Sequence, residues 1–385
     1  MTDFEHILPL WRELESAGAD YVLATVVEVQ GSSYRRPGAR MLLAPDSRRA
    51  GTVSGGCLEA EVAKKAWWLT QHGPVVERYS TLEDDGDLPY GSGCGGVVFI
   101  LLERSATARP LLGALHTAWS AREPLAIATV LSGSQTGQRM FAGPSLPADA
   151  PGLASAQLEA WQVDLQQLAF VAFDDRKPRD ETIVIDGIAA RAWADFRSAR
   201  PGLWIFGAGD DTKPLHKIAR ELGWFVAVTD GRTHLCTPTR FPLADAVVPL
   251  VTADLPASPP AELDLHPGDA AILATHSYEQ DTHILAFLLG QQPLQRPAYI
   301  GILGPQRRTR EALGEAARLL GLTPASELVD KWLDGINGPT GLDLGADTPA
   351  SIALSILAEV QKSLTEASAL PLKRVRAIRP AAKAR

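Results

Sequence analysis

The run Leu203-Trp204-Ile205-Phe206-Gly207-Ala208-Gly209 limits what this chain can fold into more than any other segment. A short unbroken apolar run that stops at Gly-x-Gly reads as a buried strand turning into a helix, because glycine takes the tight turn without a side-chain clash. Leu215, Ile218, Ala219 and Leu222 then share one helix face, and Trp224 to Thr229 supplies the next strand, which ends at Asp230, 21 residues after Gly209. Strand, Gly-x-Gly turn, helix, strand and acid in that order make the mononucleotide-binding half of a Rossmann fold. Later strands at Ala270 to Ala274 and Ala298 to Leu303, with helices near Asp281 to Leu289 and Arg307 to Leu320, extend it into a doubly wound parallel sheet. Gly207 and Gly209, with Asp230 for a ribose, are candidates for NAD(P). Against a tightly held pyrophosphate, Thr212 takes the place of the third glycine, and Asp210 and Asp211 bring negative charge to the docking position.

A chain of 385 residues exceeds one ordinary core, and two α/β domains are expected. We place the first at 1–200, with 104–200 as a connecting region, the second at 201–365, and a basic, disordered tail at 366–385. That tail carries Lys373, Arg374, Arg376, Arg379, Lys383 and Arg385. The net charge of −8 argues against a broad nucleic-acid surface, which needs clustered cations. Three widely spaced cysteines give no disulfide framework and fit a reducing compartment. Phe4, Ile7, Leu8, Trp11 and Leu14 mark an amphipathic first helix and not a signal peptide, and no apolar run is long enough to span a bilayer, so a cytoplasmic location is expected.

Two of the cysteines sit in glycine-dense runs, Ser54-Gly55-Gly56-Cys57 and Gly91-Ser92-Gly93-Cys94-Gly95-Gly96. Either run alone reads as an ordinary turn around a small thiol; two in one domain point to accessible thiols. Strands are predicted at Tyr21 to Val29, Arg40 to Leu43, Gly51 to Val53, Val75 to Tyr79 and Val97 to Glu103. A helix from Cys57 onward puts Gly55 and Gly56 at its N-terminus, where free N–H groups favour an anion. Between 104 and 200, Leu125 to Leu131 and Thr182 to Ile185 read as strands, and Gly143 to Gly152 as a loop. Near the end, Thr348 is placed to cap a helix that starts at Pro349, after a glycine-rich stretch that docks the helix or makes a further anion pocket.

Several motifs in order resemble the XdhC/CoxI family: Gly31-Ser32-Ser33-Tyr34-Arg35-Arg36-Pro37-Gly38-Ala39-Arg40-Met41, Gly51-Thr52-Val53-Ser54-Gly55-Gly56-Cys57-Leu58-Glu59, Gly93-Cys94-Gly95-Gly96, the Rossmann segment, and Gly341 to Pro349 with Ile352 to Ile356. Asp210 and Pro305-Gln306 depart from the family pattern. The resemblance implies a chaperone that binds the molybdenum cofactor, as molybdopterin or its cytosine dinucleotide, supports its sulfuration with a cysteine desulfurase, and delivers it to the apoenzyme of a xanthine dehydrogenase or aldehyde oxidase type hydroxylase. It implies a homodimer, and no substrate turnover. Within that reading Cys57 and Cys94, flanked by Gly93 and Gly95, are the candidate soft donors to molybdenum or its sulfur, since thiolates suit soft metals. Arg36 and Arg40, with the Gly55 and Gly56 backbone, are candidates for the phosphate; the plainer role of either arginine is a salt bridge. Cys236 reads as packing. His276 falls at the ligand edge of the parallel sheet, and Glu279, Asp281 and His283 do not share one helix face. The rival readings are an NAD(P)-dependent oxidoreductase and a scaffold whose glycine loops are only structural.

Overall fold

The computed structural model describes residues 2–56, 58–80, 96–146, 158–255 and 257–378, and the chain divides into two compact units, 1–200 and 201–385. The first unit opens with helix α1 (Thr2–Ser16), whose Phe4, Ile7, Leu8, Trp11 and Leu14 are all buried, as the 3.6-residue spacing requires. A five-stranded sheet follows, in the order β3-β2-β1-β5-β4. Its strands are β1 (Val22–Gly31), β2 (Arg40–Leu43), β3 (Arg49–Gly51), β4 (Val75–Ser80) and β5 (Gly96–Arg104). β5 runs antiparallel to the whole of β1, from Val22 opposite Arg104 to Gly31 opposite Gly96. Helix α2 (Glu59–Leu69) covers one face, Leu58, Val62 and Ala66 packing on Val22, Ala24, Met41, Ile100 and Leu102.

Residues 104–200, the least legible part of the sequence, carry α3 (Ser105–Ser120), α4 (Ala160–Asp175) and a second antiparallel sheet. That sheet has the order β7-β6-β9-β8, from β6 (Leu125–Val130), β7 (Arg139–Ala142), β8 (Arg179–Ile185) and β9 (Ile188–Arg197). Small residues on its outer face, Ala126, Ala128, Ala190, Ala192 and Ala194, receive Trp161, Leu165 and Leu168 of α4. Its inner face meets the first sheet through Val27, Leu101, Leu131 and Trp193. Buried ion pairs tie the two sheets: Glu103 of β5 to Arg139 of β7 at 2.5 Å, and Arg40 of β2 to Asp195 of β9 at 3.2 Å.

The second unit is the doubly wound sheet read from the sequence, all parallel and ordered β12-β11-β10-β13-β14. The strands are β10 (Gly202–Phe206), β11 (Phe225–Asp230), β12 (Ala246–Pro249), β13 (Ala270–Leu273) and β14 (Tyr299–Ile302). Helices α5 (Lys213–Glu221) and α9 (Pro349–Thr365) pack on one face, and α6 (Tyr278–Gly290), α7 (Gln306–Leu319) and α8 (Ser326–Asp334) on the other. Thr348 caps α9 as expected, its hydroxyl accepting from the Ser351 N–H at 3.2 Å. The glycine stretch before it is fastened to α9, the Gly341 N–H donating to Glu359 at 2.7 Å, which fits docking and not an anion pocket. Within the basic stretch expected as a disordered tail, Leu372–Ile378 forms a short helix, α10.

One core residue of this unit is costly. His216 on α5 is fully buried, its ring edge-on to Phe241, and neither ring nitrogen has a well-formed hydrogen bond. Burial outweighs a backbone interaction at Lys213 and, with the charges of Lys217 and Lys213, pushes its pKa below the ordinary histidine value, so the native state favours the neutral ring. In the unfolded chain His216 takes up a proton below about pH 6.5, so stability falls as pH drops from there toward the depressed native pKa. His216→Leu should therefore flatten the melting temperature of this unit between about pH 7 and 5. Parallel melting curves for wild type and variant would show that His216 does not set the acid limit.

Candidate functional site

The first sheet gathers its glycine motifs at one end. β1 leaves at Gly31 opposite the entry of β5 at Gly96, and β4 leaves at Ser80, opposite Val97. β2 enters and β3 leaves toward the same end, at Arg40 and Gly51. The motifs touch. A Cβ on Gly96 would lie 2.2 Å from the Ser32 carbonyl oxygen, so only glycine lets β5 begin against the 31–33 turn. A Cβ on Gly55 would lie 3.5 Å from Cγ of Tyr34, so the 54–56 turn rests against the Tyr34 ring. Cys57, Cys94, Gly93 and Gly95 lie outside the described residues.

The helix-end anion reading needs correction in part. α2 starts at Glu59, not at Cys57, and the carboxylate of Glu59 turns back to accept from the N–H groups of Val53 (3.2 Å) and Ser54 (2.8 Å). The Ser54 hydroxyl donates to Glu59 at 2.5 Å and accepts from the N–H groups of Gly56 and Leu58, each at 3.1 Å. Burial raises the Glu59 pKa, but these hydrogen bonds outweigh it and hold the carboxyl below its usual range. The Gly56 N–H is therefore spent internally. The Gly55 N–H makes no hydrogen bond among the described residues.

Arg40 is corrected as well. Its guanidinium is buried and bonded to the Gly38 carbonyl (3.0 Å) and to Asp195, which Arg197 also contacts at 2.7 Å. Burial, then the charge of Arg197, pushes Arg40 down to about 10, with Asp195 opposing; it remains a cation at neutral pH and serves the joint between sheets. Arg36, by contrast, is exposed, and its guanidinium has no ion pair or hydrogen bond among the described residues. Glu59, Asp195 and Arg197 are the residues that sequence reading missed. Glu59 stood inside a quoted motif, and nothing in sequence pairs Asp195 with a residue 155 positions away.

In the parallel sheet, ligands are expected beyond the carboxyl ends of the strands, where the order reverses between β10 and β13. Gly207 sits there with φ +133°, and a Cβ on it would lie 2.2 Å from the Ala274 carbonyl oxygen. The polar groups of this edge are paired with one another. Asp230 accepts from the Ala208 N–H at 2.7 Å and from Arg232 at 2.7 and 3.0 Å; burial raises its pKa, and these bonds bring it below the usual value. Asp211 bonds His276 at 2.9 Å, and its carboxylate lies 2.3 Å from where a Gly209 Cβ would stand. Asp210 pairs with Lys213 at 2.7 Å and Arg240 at 2.9 Å. Thr212 bonds the carbonyls of Gly207 and Gly209. A dinucleotide does not fit this edge in the usual mode: a carboxylate covers the glycine its pyrophosphate would approach, and the ribose-binding acid is turned inward.

His276, expected at this edge, is there as the partner of Asp211. Asp281 bonds Thr275 at 2.6 Å and Arg308 at 2.8 Å, and burial raises its pKa. Among the described residues no group of three or more His, Cys, Asp or Glu is placed to hold a metal. Cys236 is buried with its thiol toward the Val228 carbonyl, and burial raises its pKa, consistent with packing.

An N-terminal α/β unit followed by a Rossmann unit is an order shared with known proteins. Residues 203–360 match the XdhC Rossmann domain, and residues 14–80 match the XdhC and CoxI family. The chain belongs to the XdhC and CoxI family. It is 32% identical over 346 residues to a Bacillus subtilis (strain 168) protein named as a probable subunit of xanthine dehydrogenase, covering 88% of this chain and 92% of that one. It is 33% identical over 123 residues to the molybdenum cofactor insertion chaperone PaoD of Escherichia coli (strain K12), covering 30% of this chain and 36% of PaoD. A crystal structure described as a xanthine dehydrogenase from Bacillus halodurans matches with a TM-score of 0.68 at 27% identity, over 97% of this chain and all of that one. Among the described residues no helix is long and apolar enough to cross a membrane.

Proposed function

We propose that this protein is a maturation factor for a molybdenum hydroxylase of the xanthine dehydrogenase type. It binds the molybdenum cofactor at the glycine end of the first sheet, supports its sulfuration with a cysteine desulfurase, and delivers it to the apoenzyme, acting in the cytoplasm as a homodimer. The observation that carries this reading is the meeting of the 31–38, 54–56 and Gly96 segments at one sheet end; Cys57 and Cys94 adjoin these segments in sequence only. The fit is chemical. Arg36 offers a guanidinium and Gly55 an N–H, neither paired among the described residues, to a phosphate, and thiols as a residue type suit a soft metal with sulfur ligands. The kinship with PaoD supports the cofactor, and the Bacillus subtilis relative supports the class of client.

Anaerobic equilibrium binding of the cofactor to the purified protein, with NAD and NADP titrated in parallel, tests this. Cofactor binding without nicotinamide binding is expected, and Cys57→Ala or Cys94→Ala should weaken it by about tenfold, roughly 1.4 kcal/mol. Nicotinamide binding alone would point to an oxidoreductase. Equal affinity in both cysteine variants would remove the thiols from the site.

A further inference from the structure

Tyr34 is the aromatic residue most exposed to solvent among those described, at 74%, ahead of Trp68 at 68%. An isolated exposed ring is ordinary on a protein surface. What distinguishes Tyr34 is where it stands. The base of the ring lies against Gly55, whose Cβ position is 3.5, 3.7 and 3.8 Å from Cγ, Cδ1 and Cβ of Tyr34. Its own loop is pinned by the Gly38 N–H donating to Val26 at 2.7 Å and by the Gly96 backbone pressed on Ser32. Two residues on, Arg36 presents a cation with no partner among the described residues. An exposed aromatic ring two residues from such a guanidinium is a complement for a planar heteroaromatic ring joined to an anion: the π-face takes the ring, and the cation takes the charge.

We propose that Tyr34 is the stacking platform for the planar pyrimidinone ring of a pterin, a role that rests on the cofactor-binding reading above. Tyr34 acts as a positioning residue. It orients the ring system so that the phosphate meets Arg36 and the 55 backbone. The ring face does this, and the phenolic hydroxyl does not.

The test uses molybdopterin released anaerobically from a purified molybdoenzyme, titrated into the full chain and its Tyr34→Ala, Tyr34→Phe and Tyr34→Trp variants. Tyr34→Ala should bind about tenfold more weakly, while Tyr34→Phe and Tyr34→Trp stay within about threefold of wild type. Thermal melting should be unchanged in all three, because so exposed a side chain contributes little packing. Wild-type binding matched by Tyr34→Ala would overturn the stacking role and leave the cofactor site standing, as would loss in Tyr34→Phe equal to that in Tyr34→Ala. If Tyr34→Ala keeps its affinity for molybdopterin but loses affinity for the apo-hydroxylase, Tyr34 is a protein contact instead. No molybdopterin binding by wild type would overturn the cofactor reading itself.

Discussion

Asp195→Ala should destabilise the N-terminal unit by about 3–5 kcal/mol and lower its melting transition by roughly 6–20 °C. Asp195 is 4% exposed and carries two guanidinium groups, those of Arg40 and Arg197, with Arg139 contributing further positive charge to Arg40's surroundings. Deleting the carboxylate leaves the buried Arg40 and the half-buried Arg197 facing each other with no counter-charge, a larger loss than the pair itself is worth. Arg40→Met should cost less, because Asp195 keeps Arg197. Peptide-resolved hydrogen exchange is the suitable readout, since it separates the two units: protection should fall across β2, β6 and β9 and hold in β10 to β14. A variant that melts within about 2 °C of wild type would mean that water or a movement of Arg197 makes up for the missing charge.

Gly207→Ala should be nearly as damaging to the Rossmann unit, by at least about 3 kcal/mol. The residue occupies a backbone region that side-chain-bearing residues avoid, and the added methyl would meet the carbonyl oxygen and carbon of Ala274 at 2.2 and 2.6 Å. Those are backbone atoms at the end of β13, so relief means parting β10 from β13. Gly209→Ala is the informative contrast. Its methyl meets the side-chain oxygen of Asp211, which can swing away at the expense of the bond to His276. Melting curves that rank Gly207→Ala well below Gly209→Ala are expected; equal losses would show that the turn at 207 yields.

The Rossmann unit was legible because strands buried on both faces read as unbroken apolar runs, and Leu203 to Phe206 is one. β6 and β8 also emerged from the sequence, but β7, β9, α3 and α4 did not. β9 alternates alanine with Arg191, Trp193, Asp195 and Arg197, a pattern that signals no core until β1 and β2 bring Glu28 and Arg40 to meet it. The glycine motifs announced a site by composition. What occupied their hydrogen bonds did not show, because Glu59 turning back on Ser54 and Asp211 reaching His276 across 65 residues are products of packing. The expected anion site at the α2 terminus was an inference from a free helix end, and this helix end carries its own carboxylate.

The pairing of β1 with β5 has a consequence for biosynthesis. β5 is the last strand of its sheet to be translated, yet it lies between β1 and β4 and supplies Gly96 to the turn at Ser32. Loop closure across some sixty-five residues must precede the meeting of these segments, and such non-local pairing is slow relative to helix formation. A ribosome-bound fragment that stops short of residue 104 therefore has the motifs but not the sheet end that joins them. On the function proposed above, a cargo would be accepted only by chains whose first sheet has closed, which makes its capture a report on the closure of that sheet.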